Sequence, residues 1–94
     1  MDFEGIAKRL NQFAEDRDWG QYHSPKNIAI SLGVEVGELL EIFQWLPDNH
    51  DFAGDEAVRS RATEEIADIF IYAIMLGQKL NIDIEQAVLT KILS

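Results

Sequence analysis

GVEVGELLEIFQW, residues 33–45, decides the fold class of this 94-residue chain and poses its main chemical question. Together with the residues before it, the stretch carries a core-facing seam of five positions in alternating steps of four and three: Ile28, Leu32, Glu35, Leu39 and Ile42. Such spacing is typical of an amphipathic helix. Glu35 therefore occupies a position where an apolar side chain is expected. Glu38 lies about 60° round the helix from Glu35, so the two carboxylates share a face.

A second pair of acids, Glu65 and Asp68, repeats this spacing beside a strongly apolar run over residues 66–76. If the two helices pack antiparallel, both pairs meet at one point. Carboxylates that converge in a partly dry site need either protonation or a cation, because burial and like-charge repulsion disfavour their ionised forms. A set of oxygen ligands without a nearby His or Cys indicates Mg²⁺ or Mn²⁺ rather than zinc.

The alternative interpretation of these acids is an ordinary solvated helix face, since glutamates three residues apart are common on exposed helices. Glu41 and Glu64 fit that interpretation, and we leave both outside the group of candidate ligands. Glu41 is kept as a candidate for orienting a water molecule. The set also lacks the Glu-x-x-His pairs of di-iron bundles, which disfavours oxygen chemistry.

Helical periodicity and punctuation predict an all-α chain of four helices in one domain, residues 1–94. The first covers about residues 2–17. Ser24 and Pro25 begin the second, which runs to about residue 45. Asp55 caps the third, up to about residue 79, and Asn81 follows in a left-handed conformation. Asp83 caps the fourth, residues 84–93. Because the third helix is apolar almost all round, we expect a homo-oligomer, either a dimer or a tetramer, to cover it.

The net charge and composition limit the classes of molecule that this chain can bind. The net charge is −9 with eight Lys and Arg residues, which argues against polymeric nucleic acid. A phosphorylated small molecule remains compatible if a cation supplies positive charge. The chain has no cysteine, which is consistent with a cytoplasmic protein. It opens without a secretory leader, and no apolar run is long enough to span a membrane.

The acid motifs resemble those of a known family. EVGELLEIFQW (35–45) followed by EEIADIFIY (64–72) is similar to the MazG-like nucleotide pyrophosphohydrolases, whose signature is E-x-x-E on one helix and E-x-x-D on the next. Glu35, Glu38, Glu65 and Asp68 fill those four positions. DWGQYHSPKN (18–27) resembles the segment before the acidic helix in the dCTP-pyrophosphatase branch. The likeness extends over about residues 13–91.

The resemblance implies a four-helix MazG-like bundle that binds Mg²⁺ and hydrolyses a (deoxy)nucleoside triphosphate to a monophosphate and pyrophosphate. Glu35, Glu38, Glu65 and Asp68 would serve as catalytic residues and metal ligands. It also implies six substrate-binding residues: Trp19, His23, Asn27, Trp45, Tyr72 and Lys91. dCTP or a related dNTP is the expected substrate, and cleaning of the nucleotide pool the expected role.

The resemblance ends near the C-terminus. Members of this branch continue with an asparagine and a basic, aromatic segment, whereas this sequence stops at Ser94. Lys26 and Arg61 are further candidates for neutralising phosphate. Three sources stay open for the remaining phosphate and sugar contacts: a neighbouring subunit, none at all, or chain beyond Ser94.

Two other functions compete with the hydrolase hypothesis. A non-catalytic helical interaction module would use the acids only to set charge and partner register. A sensor would bind Mg²⁺ and nucleotide without releasing pyrophosphate. The acid pattern favours chemistry over the first and does not separate the second.

Overall fold

The computed structural model describes residues 1–17 and 23–94 of the chain. These residues form four helices, α1 (Phe3–Asp16), α2 (Pro25–Phe43), α3 (Glu56–Lys79) and α4 (Ile84–Leu93), and contain no β-strand. The predicted all-α fold is thus confirmed, with α2 ending slightly before the predicted position near Trp45. None of the described helices is both long and apolar enough to cross a membrane.

Each helix begins where a short polar side chain satisfies a free backbone N–H of the first turn. The cap accepts from the backbone N–H three residues further along the chain in every case, at 2.9–3.1 Å. The four capping residues are Asp2, Ser24, Asp55 and Asp83. Since three of them were predicted from sequence, the starts of α2, α3 and α4 are encoded locally.

The end of α3 is a Schellman motif. Asn81 has a φ of 56°, the left-handed conformation predicted for it. The backbone N–H of Ile82 donates to the Gly77 carbonyl at 2.8 Å, and that of Asn81 donates to the Gln78 carbonyl at 3.2 Å. These two hydrogen bonds satisfy carbonyls that the helix itself leaves free. They also set the direction in which the chain leaves α3 towards α4.

The main packing is between α2 and α3, while α1 lies against α3. The buried apolar core of the described residues is small and consists of Ile28, Ile42, Ile74 and Met75. The connection between α2 and α3 has its own packing, in which the rings of Phe43 and Phe52 lie 5.6 Å apart. The contact between α2 and α3 is therefore the structural basis of any site that uses both helices.

Candidate metal and nucleotide site

Glu35 is held in place by the two buried isoleucines of α2. Ile28 is completely buried and Ile42 almost so, and Glu35 lies midway between them, seven residues from each. Because residues seven apart share a helix face, anchoring both isoleucines turns Glu35 towards α3. Glu35 is accordingly half-buried, whereas Glu38, nearly one turn further, is exposed. The first acid lies in the groove between the helices and the second at its rim.

Glu65 of α3 lies close to Glu35 and Glu38 of α2. The carboxylates of Glu35, Glu38 and Glu65 each have an oxygen within 4.8 Å of the other two. Glu65 is half-buried, like Glu35. One oxygen of each, Oε2, is buried and accepts no hydrogen bond. The predicted convergence of acids from two helices is therefore present for three of the four residues.

The fourth predicted residue, Asp68, lies nearly one turn after Glu65 and is not a member of the three-carboxylate group. It lines a cavity of about 390 Å³ between α1 and α3 instead. That cavity also contains Tyr72, one turn further along α3, and is completed by Ile6, Arg9, Leu10, Phe13 and Ile71. The acid group and this largely apolar cavity are thus adjacent along α3, with Asp68 between Glu65 and Tyr72.

The proximity of the three carboxyl groups strongly raises the pKa of Glu35. The pKa of Glu35 rises from an ordinary 4.5 to about 7, chiefly because Glu35 and Glu65 share a hydrogen bond. Burial and the nearby Glu38 raise this pKa further. A hydrogen bond between two carboxyl groups requires that one of them be protonated. The group therefore retains a proton near neutral pH unless a cation replaces it.

The other predicted substrate residues are spread more widely. Trp19 lies outside the described residues. His23 is half-buried and lines a second cavity of about 330 Å³, which α1 and the C-terminal half of α3 complete. Asn27 lies exposed in the first turn of α2, Trp45 is 85% exposed beyond its end, and Lys91 is exposed on α4. Tyr72, the sixth predicted substrate residue, lines the same cavity as Asp68.

Sequence reasoning did not identify Arg9 and Phe13 as possible site residues. Both line the cavity beside Asp68 and Tyr72. Their signal in the sequence was weak, because Phe13 continues the apolar periodicity of α1 and Arg9 is one of two adjacent exposed basic residues, with Lys8. Only the packing of α1 on α3 brings them next to Asp68.

Comparison with known proteins identifies the family. A profile of the MazG-like family matches residues 30–94, which include all three clustered carboxylates. The chain belongs to the MazG-like family. This MazG-like chain is 43% identical over 90 residues to dCTP pyrophosphatase 1 of Bos taurus and 40% identical to that of Homo sapiens. The alignments cover 94% of the chain but 53% of each relative, so the chain spans about half the length of these curated relatives.

A solved structure shows the same fold. A pyrophosphatase from Archaeoglobus fulgidus DSM 4304 matches with a TM-score of 0.88 and 39% sequence identity. The match covers 98% of this MazG-like chain and 86% of the solved chain. The complete helical arrangement, rather than only the acid-bearing pair, is therefore found in the A. fulgidus pyrophosphatase.

Proposed function

We propose that this MazG-like chain is a Mg²⁺-dependent hydrolase that converts a nucleoside triphosphate to its monophosphate and pyrophosphate. The observation that carries the proposal is the convergence of Glu35, Glu38 and Glu65 from two helices, with two buried oxygens left without partners. Relatives that are dCTP pyrophosphatases support the reaction and favour dCTP or a related dNTP as substrate. In this role the 94 residues act as a single domain.

The donor set fits a hard divalent cation. The group provides carboxylate oxygens, which Mg²⁺ and Mn²⁺ prefer, and contains no His or Cys. The unpartnered Oε2 atoms of Glu35 and Glu65 are the buried ligands such an ion would use, and the exposed Glu38 leaves the solvent side open to a phosphate. When bound, the ion neutralises phosphate charge and makes water easier to deprotonate.

One of the carboxylates would accept the proton that the attacking water loses. Attack of water on the α-phosphorus requires a base, and a base is most effective when its pKa is close to the working pH. Glu35, whose pKa rises to about 7 when no cation is bound, is the proposed base. Glu65 lies beside Glu35 on the neighbouring helix, and Glu38 faces the solvent from which water and substrate arrive. Asp68 extends the acidic site towards the cavity.

We place the nucleobase in the cavity next to Asp68. Its volume of about 390 Å³ lies within the range of small-ligand pockets. Tyr72 and Phe13 offer aromatic faces, on which bases stack with little sequence preference, and Arg9 is a nearby cation for a phosphate or a base carbonyl. Trp19, His23, Asn27, Trp45 and Lys91 are proposed as further substrate contacts by family resemblance.

We also propose that the protein works as a homo-oligomer, a dimer or a tetramer. Its radius of gyration is 15.5 Å, whereas a compact chain of this length has about 12 Å. Its accessible surface is 7147 Å², against about 5,500 Å² for a compact monomer of this mass. The excess, roughly 1,600 Å², is close to what one partner buries in an obligate dimer. A role in cleaning the nucleotide pool would place this assembly in the cytoplasm.

Pyrophosphate release from each common dNTP, measured with Mg²⁺ and with a chelator, tests the proposal. We expect release with Mg²⁺ that Glu65→Gln lowers by about 100-fold or more. Glu64→Gln is the matched control, because Glu64 is the exposed neighbour of Glu65 and carries the same charge. Nucleotide binding without pyrophosphate would indicate the sensor instead. Absence of both binding and release would leave the interaction module.

A further inference from the structure

The connection between α2 and α3, residues 44–55, carries a histidine whose contacts lead to both helices. His50 Nε2 lies 2.9 Å from Oδ2 of Asp55, the capping residue of α3. The imidazole ring also packs edge-on against the ring of Phe52, at a centroid distance of 5.2 Å. Phe52 in turn lies against Phe43, the last residue of α2. We call these four side chains, which link the end of α2 to the start of α3, the helix clasp.

Asp55 uses its two oxygens for different contacts. Oδ1 accepts from the backbone N–H of Val58 at 3.1 Å, which caps α3, while Oδ2 is the partner of His50. These hydrogen bonds, that of Val58 foremost, lower the pKa of the Asp55 carboxyl, so it is ionised at neutral pH. An ionised carboxylate only accepts hydrogen bonds, and His50 Nε2 is therefore the donor. The first turn of α3 is thus tied to a side chain of the preceding loop.

The half of α3 that carries Glu65 has few other contacts to hold it. All buried residues of α3 lie beyond Glu65, at positions 74, 75 and 77, and none of residues 56–65 is buried. The inward stripe of this half is only half-buried and consists of Val58, Ala62 and Glu65, at helical spacings of four and three. Because apolar burial is the main source of packing stability, the position of this half against α2 depends strongly on the helix clasp.

The carboxylate group lies between two points of attachment. Towards the C-terminal end of α3 lie the core residues Ile28 and Ile74. Towards the other end lies the helix clasp, about 7.5 Å along α2 from Glu38 and about 15 Å along α3 from Glu65, at a rise of about 1.5 Å per residue. The separation of the two helices at the carboxylates is therefore set from both sides.

We propose that His50 is a positioning residue for the divalent-cation site. Its contacts with Asp55 and Phe52 hold the first half of α3 against α2 and so fix Glu65 relative to the carboxylates of α2. Mg²⁺ requires oxygen ligands at about 2.0–2.1 Å in nearly octahedral geometry, so a displacement of about 0.5 Å at Glu65 would weaken binding. The inference rests on the cation site proposed above and adds to it a residue that does not touch the ion.

Mn²⁺ binding to clasp variants, followed by electron paramagnetic resonance, tests this role. His50→Ala removes both contacts of the ring and should weaken Mn²⁺ binding by about threefold to tenfold. His50→Gln keeps a side-chain N–H that reaches Asp55 and should restore the affinity to within about twofold of wild type. Asp83→Ala is the matched control, because it removes an equivalent capping hydrogen bond from α4, at the opposite end of α3, and should leave Mn²⁺ affinity unchanged.

The Mg²⁺ dependence of pyrophosphate release separates positioning from general stabilisation. His50→Ala should raise the Mg²⁺ concentration for half-maximal rate by about threefold to tenfold, and the rate at saturating Mg²⁺ should stay within about twofold of wild type. This split is expected because the helix clasp arranges the ligands and takes no part in proton transfer. A lower Tm of His50→Ala with unchanged Mn²⁺ affinity and Mg²⁺ dependence would overturn the proposal.

Amide hydrogen exchange gives a readout that needs no metal. His50→Ala should speed exchange in residues 58–65 by about fivefold, while amides near Ile74 change little. Equal exchange of the wild type and His50→Ala in residues 58–65 would contradict the helix clasp and leave the hydrolase proposal standing. A wild type that binds no Mn²⁺ would instead overturn the cation site and, with it, the role of His50.

Discussion

Replacing Glu35 by glutamine should stabilise the protein when no divalent cation is present. Ionisation of Glu35 at high pH breaks its hydrogen bond with Glu65. It also places a negative charge close to that of Glu38. The Glu35 pKa of about 7 instead of 4.5 corresponds to about 3.5 kcal/mol at most, at roughly 1.4 kcal/mol per pKa unit. Because the group opens to solvent at Glu38, screening reduces the expected effect to about 1–2 kcal/mol.

The pH dependence has a definite sign. The folded chain holds this proton more tightly than the unfolded chain, so the unfolded state is favoured as pH rises from 4.5 towards 7. The penalty is complete above pH 7 and absent at about pH 4, where both states keep the proton. Glu35→Gln removes the penalty, so its advantage should grow from pH 4 to pH 8.

Thermal unfolding at fixed protein concentration, with EDTA, measures this effect. We expect Glu35→Gln to raise Tm by roughly 5–15 °C at pH 8 and to leave it nearly unchanged at pH 4. Glu41→Gln, an exposed acid of the same helix, is the control and should shift Tm little at either pH. Saturating Mg²⁺ should stabilise the wild type and not the Glu35→Gln variant, reversing the order. A Glu35→Gln variant that is less stable than wild type at pH 8 in EDTA would refute the reasoning.

Three other substitutions test the helices that carry the site. Asp55→Ala should lower Tm at pH 7 more than Asp55→Asn, since asparagine can still accept from the Val58 N–H. The hydrogen bonds with Val58 and His50 hold the pKa of Asp55 below its usual value, so the Tm difference between the wild type and Asp55→Ala should shrink as acid protonates Asp55. Asn81→Val should cost about 1–2 kcal/mol in urea unfolding, and Asn81→Gly should cost nothing, because of the positive φ. Ile28→Ala should cost about 2–5 kcal/mol and Ile28→Val about 0.5–1.5, because Ile28 is completely buried; equal costs would contradict its place in the core.

The sequence was sufficient to predict those structural features that depend only on neighbouring residues in the chain. Ser24, Asp55 and Asp83 cap helices by hydrogen bonds that reach only three residues, and the left-handed Asn81 needs only its own backbone. The position of Glu35 in an apolar seam also follows from spacing alone, because Ile28 and Ile42 fix that face. These features do not depend on distant parts of the chain.

Features that depend on packing between helices were harder to predict from the sequence. Spacing places Glu65 and Asp68 on one face of α3, but the geometry of the contact with α2 decides that Glu65 joins the acid group while Asp68 lines the neighbouring cavity. Arg9 and Phe13 enter that cavity only because α1 lies on α3. The absence of extensive packing between α4 and another described helix likewise could not be derived from the apolar pattern of α4 itself.

Binding of Mn²⁺, followed by electron paramagnetic resonance and competed with Mg²⁺, tests the central claim most directly. We expect the wild type and Glu64→Gln to bind Mn²⁺ alike, with Mg²⁺ displacing it, and Glu65→Gln to weaken binding by about tenfold or more. Equal Mn²⁺ affinity of Glu65→Gln and the wild type would contradict the claim that these convergent carboxylates hold a divalent cation.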